Sequence, residues 1–145
     1  MAPLQKRAWY SFAIGLVFTI AIIVVFIVKG GIATFNEDQS YRIIVNVLWI
    51  GALLASLLMT GITFRKPGQL DERDKLIMVK AQKIQLYSIM FSLVAWVVSL
   101  PEIYHTEGQI PVAFIYLIYM SVLLVMSLSQ SIGVLIGYWR GVSHD

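Results

Sequence analysis

The sequence predicts an all-α, polytopic integral membrane protein: four transmembrane helices in two hairpins, with both termini cytoplasmic. Three observations carry that reading. Of its 145 residues 59% are hydrophobic and 13% charged, against ~25% charged in ordinary soluble domains. The apolar residues gather into four runs, near 8–28, 41–64, 84–100 and 111–139, each close to the ~20 residues that cross a ~30 Å hydrocarbon core. Lys and Arg are unevenly placed. Nine (Lys6, Arg7, Arg65, Lys66, Arg73, Lys75, Lys80, Lys83 and Arg140) lie in the terminal and central segments, and two (Lys29 and Arg42) in the other loop segments. The positive-inside bias therefore places the termini and the central segment in the cytoplasm. Residues 1–145 read as one domain of a cell membrane, without room for a soluble catalytic domain.

The first span follows Lys6 and Arg7 and runs uninterrupted from Ala8 to Val28. It exceeds the ~7–15 apolar residues of a signal peptide, so it reads as a membrane helix. Trp9 and Tyr10 mark its headgroup end. A polar loop with Gly30, Gly31, Glu37 and Asp38 follows, and Asp38 or Ser40 caps the second span, about Tyr41 to Phe64. Asn46 is the most polar residue expected inside that span. A lone Asn there reads as an interhelical hydrogen bonder worth ~1 kcal/mol.

Residues 65–83, RKPGQLDERDKLIMVKAQK, form the longest polar stretch of the chain. Pro67 and Gly68 break the preceding helix. Asp71 should cap the next one, with Glu72 and Asp74 in its first turn, where the helix dipole favours negative charge. Ile77, Ala81 and Ile84 make a narrow apolar stripe, flanked by Arg73, Lys80 and Lys83. The next breaker is Pro101. A helix from Asp71 to Leu100 would measure ~45 Å, so about three turns would project beyond the hydrocarbon on the charged side. The projection reads either as a solvated anchor that sets depth or as a docking surface for a protein or for lipid headgroups, through Asp71, Glu72, Arg73, Lys80 and Lys83.

The pattern Asp71, Glu72, Arg73, Ile77, Lys80 and Ala81, followed at once by a span, resembles a signature of small four-helix prokaryotic membrane proteins of unknown function. Members of that group are often encoded beside small helix-turn-helix regulators. The resemblance therefore implies control of gene expression from the membrane through a cytoplasmic protein partner, without direct nucleic acid binding by this chain.

The far loop carries Glu102, His105 and Glu107, but it follows a proline and offers no further nearby ligand, so no metal site is expected. Pro111 opens the fourth span, which reaches Trp139, with Tyr138, Trp139 and Arg140 at its interface end. Gly133, Gly137 and Gly141 repeat every four residues, a spacing that lets helices approach closely. The ridge serves either packing inside the monomer or a homo-oligomer through this helix. Ser127, Ser129, Ser131 and Gln130 add a polar patch, which reads as backbone-bonded serines.

Absence of cysteine excludes disulfides, thiolate metal sites, iron–sulfur clusters and thiol catalysis. His105 and His144 fall on opposite membrane sides, so they hold no shared haem or catalytic site. No catalytic set and no cofactor are expected. None of the spans holds an ionisable residue in its apolar interior, which weighs against ion-coupled transport. The reading is a non-enzymatic interaction or regulatory module acting through residues 65–83. A small transporter, or an accessory subunit of a larger membrane complex, is the alternative.

Overall fold

A computed structural model describes residues 2–35, 37–63 and 71–141. Its elements are α1 (Pro3–Val28), the short α2 (Ile32–Phe35), α3 (Gln39–Thr63), α4 (Glu72–Ile103) and α5 (Ala113–Trp139). All but α2 contain a stretch long and apolar enough to cross a membrane. The expected breaks at Pro67 and Gly68, the residues from Arg65 to Leu70, and His144 lie outside the described residues.

Helix ends differ from expectation for local reasons. Pro3, at the first turn of α1, is tolerated because that N–H has no helical partner; the helix therefore starts before the apolar run. Pro101 does not end α4, which continues to Ile103. A proline in the last turn withdraws one bond, and the Tyr104 N–H still reaches the Leu100 carbonyl at 3.1 Å. Pro111 does not open α5. The N–H groups of Phe114 and Ile115 bond to the carbonyls of Pro111 and Val112, both at 3.0 Å, a tight i→i−3 turn that delays the α-helix to Ala113. The expected polar loop after α1 contains α2. Gly30 and Gly31, with φ of 89° and 75°, reverse the chain there as residues with a Cβ rarely do. As expected, Asp38 caps α3, accepting from the N–H groups of Ser40 (2.8 Å) and Tyr41 (3.2 Å).

The most extensive helix contact joins α4 to α5, followed by α1 with α5 and α1 with α3. Helices α1 and α5 thus form the middle of the molecule, with α4 and α3 on its flanks. The α4–α5 pair is antiparallel and tied along its length. Gln85 Nε2 donates to the Met126 carbonyl at 3.2 Å, and Trp96 Nε1 donates to Ser121 Oγ at 2.8 Å.

Two buried clusters lie at opposite ends. Where α1 and α4 start and α5 stops, the near end, Leu4, Ala8, Ile77, Ala81 and Val134 pack together. At the far end Phe35, Tyr41, Val45, Ala113 and Met120 do so. Between them the outward faces are apolar, as at Val17, Leu58, Phe91 and Val97. Such a surface suits hydrocarbon better than water.

Candidate functional site

The candidate site is the start of α4. Asp71 is its N-cap: the carboxyl oxygen accepts the Asp74 N–H at 2.7 Å, satisfying one of the orphan donors of the first turn. From that cap the helix divides its residues by face. Asp74, Ile77 and Ala81, spaced three and four apart, point inward and are buried. Asp71, Glu72, Arg73, Lys80 and Lys83 are exposed. The same short motif is therefore half joint and half display.

The joint is made with the end of α5. Tyr138 donates its hydroxyl proton to Asp74 Oδ1, and the Arg73 guanidinium lies over the Tyr138 ring, 5.7 Å from its centroid. One turn on, Ile77 fills the space left by Gly137, where a Cβ would come within 2.7 Å of Ile77 Cγ2. At Gly133 a Cβ would stand 2.9 Å from the Ala81 Cα, so a glycine is what allows the helices to meet. Leu4 and Ala8 of α1 close the joint from the third side.

Several expected roles change. Asp74 is more than a dipole partner: only 3% of its surface is exposed, and its carboxyl joins two helices. The spacing of Asp74, Ile77 and Ala81 puts the carboxyl on the buried face of α4, but nothing local in the sequence pairs it with Tyr138. Ile84, placed on the apolar stripe by its spacing, is exposed at 39%. Gly133 and Gly137 pack within the chain. Gly141 lies beyond the last turn at φ 55°, with nothing near its would-be Cβ, and so does not belong to the ridge. Asn46 is half-buried on α3, and its amide makes no hydrogen bond among the described residues. Its expected interhelical bond is therefore not present there.

Ser129 and Ser131 donate to the carbonyls of Val125 (2.6 Å) and Ser127 (2.9 Å), as serines in apolar helices do. Glu102, His105 and Glu107 are all exposed beside Pro101. The chain matches no family model, no curated protein and no solved structure.

Proposed function

We propose that this protein is a non-enzymatic module of the cell membrane that presents the start of α4 to a cytoplasmic protein partner and acts as a regulator. The observation that carries the reading is the division of the motif. Asp71, Glu72 and Arg73 stand exposed on one helical turn whose inner side is clamped by Asp74, Ile77 and Ala81. A charged pattern held this rigidly loses little freedom on binding, and charge complementarity selects among partners.

The four long helices are read as two hairpins crossing the bilayer, with the near end and both termini in the cytoplasm, as the Lys and Arg distribution favours. The 32 residues of α4 span ~48 Å at 1.5 Å each, ~18 Å more than the hydrocarbon core. An excess of about twelve residues, if placed at the near end, covers Glu72 to Lys83. Lys80 and Lys83 then sit where the helix enters the headgroups, as anchors worth ~1 kcal/mol each. The exposed turn at 71–73 stands above them. Because α4 already fills Gly133 and Gly137, any second copy of the chain docks elsewhere.

Exchanging Glu72 and Arg73 (Glu72→Arg with Arg73→Glu) conserves charge and spares Asp74. It should abolish co-purification of the soluble partner in mild detergent, whereas Lys80→Gln with Lys83→Gln should not. Equal recovery of the partner from the exchange variant and the wild type would refute the docking role. For orientation, a cysteine at Gln69 should be labelled only from the cytoplasm and one at Gly108 only from outside. Labelling of both from one side would refute the four-span arrangement.

A further inference from the structure

Beside the joint, α1, α4 and α5 border a small half-open niche that the docking surface does not use. Arg7 and Ser11 border it from α1, Met78 from α4, and Gln130 and Ser131 from α5. Its volume is about 30 Å³, enough for a single water-sized group. Leu4, Ala8, Met78 and Val134 form the apolar half of its wall, and the other half holds a guanidinium, two hydroxyls and an amide, with no carboxylate among the described residues. Ser11 and Gln130 are half-buried, and neither side chain has a hydrogen-bond partner among the described residues. Ser131 already spends its proton on the Ser127 carbonyl. The niche therefore offers donors from Ser11 and Gln130 beside the positive charge of the Arg7 guanidinium.

Depth narrows the ligand. Ala8, next to Arg7, packs with Ala81 and Val134 in the near-end cluster. Trp9 and Tyr10 follow on the same turn and are 49% and 44% exposed, the placement of aromatic rings at a headgroup boundary. A donor-rich niche with a cation at that level suits an anionic oxygen carried by a lipid. We propose that the niche binds the phosphate of a membrane phospholipid, one phosphoryl oxygen entering between Arg7, Ser11 and Gln130 while the rest of the headgroup remains at the mouth. This inference rests on the membrane reading above and is independent of any protein partner.

The full chain, purified and stripped of lipid in detergent, is titrated with phosphatidylglycerol, phosphatidylcholine, diacylglycerol or inorganic phosphate, and bound mass is read by native mass spectrometry. Both phospholipids should bind at one saturable site, and diacylglycerol, which lacks the phosphate, should not. Arg7→Gln should weaken phospholipid binding on the order of tenfold, as loss of a charge-assisted hydrogen bond does. Ser11→Ala, which leaves the charge in place and should fold, should weaken it by about threefold. Lys6→Gln, at an exposed neighbour, should leave it unchanged.

Diacylglycerol binding as well as the phospholipids would overturn the proposal, as would equal losses from Arg7→Gln and Lys6→Gln. Binding that Ser11→Ala leaves intact would overturn it too, leaving the niche to water. Full displacement by inorganic phosphate at millimolar concentration would assign the site to the free ion instead of the lipid. Because binding is read on the isolated chain, the result depends neither on which side the near end faces nor on the partner. Failure of the co-purification experiment and failure of this one are thus separate outcomes.

Discussion

The two buried clusters solve the same packing problem by different means. At the near end α4 and α5 meet through glycines: Ile77 sits on Gly137, Ala81 lies against Gly133, and a Tyr138–Asp74 hydrogen bond closes the contact. At the far end large rings interlock. Phe35 stacks on Phe26 at 5.8 Å and meets Tyr41 edge-on at 5.2 Å, with an exposed Lys29–Asp38 ion pair at 3.3 Å beside them. Close backbone approach leaves no spare volume, whereas ring packing can adjust by small rotations. The near end should therefore be stiff and intolerant, and the far end forgiving. The stiff end is also the one that carries the displayed charges.

The largest effect should come from adding volume where the helices touch. Gly137→Ile would drive a side chain into Ile77 and should destabilise the protein by about 1–3 kcal/mol or more, measured by unfolding in a denaturing detergent. The matched control is Gly51→Ala on α3, where the new Cβ would meet only the Phe18 ring at 3.6 Å, an ordinary contact. If both variants lose equal stability, the glycine joint has no special status.

How far this contrast is legible in the sequence depends on the element. The four apolar runs and the caps Asp38 and Asp71 are legible, because span length and N-cap chemistry are local properties. So is the Gly133–Gly137 spacing, though not whether its partner is in the chain. Gly141 keeps the four-residue period and yet falls past the helix end, since period alone does not say where a helix stops. Asp74 is hidden for a different reason. An acidic residue in a first turn already has a sufficient local explanation in the helix dipole, and its bond to Tyr138 spans 64 residues of sequence. Helix α2 is hidden because four residues carry no period. The niche at Arg7 depends on three helices meeting and has no signature in any one of them.

Second in size is the polar closure of the near end. Tyr138→Phe leaves the buried Asp74 carboxyl without its partner and should cost about 1–3 kcal/mol. It also keeps the ring under Arg73, so any loss reports the hydroxyl alone. Asp74→Asn should give a smaller loss, because an amide oxygen still accepts from Tyr138. A loss from Asp74→Asn exceeding that from Tyr138→Phe would show that Asp74 has a second duty.

The far-end ion pair should matter less, and through pH. Asp38 is held below the usual carboxylate range, first by the N–H of Tyr41 and then by Lys29 and the N–H of Ser40. Its folded value lies below its unfolded one, so its contribution is fully present above the unfolded value and is lost as pH falls through the folded value. Asp38→Asn should therefore flatten the acid limb of the stability curve and leave it unchanged near neutrality apart from the weakened cap. Salt should reduce the Lys29 share, because the pair is exposed. An acid limb unchanged in Asp38→Asn would place the titration elsewhere.

The smallest effect separates the two ends by the same atom. Tyr41 is fully buried among Phe26, Phe35 and Val45, and its hydroxyl has no hydrogen-bond partner among the described residues. Tyr138 and Tyr41 are thus two tyrosines near helix ends, one with its hydroxyl bonded and one without. Removing an unpartnered buried hydroxyl relieves a desolvation penalty and leaves no group newly orphaned. Tyr41→Phe should therefore be neutral, or stabilising by up to about 1 kcal/mol, with the ring contacts to Phe26 at 5.3 Å and Phe35 retained. The two Tyr→Phe variants, unfolded side by side in the same detergent, should shift in opposite directions or, at the least, differ by more than 1 kcal/mol. A loss at Tyr41 equal to that at Tyr138 would mean that the far-end hydroxyl has a partner and that the far end is as polar in its closure as the near end.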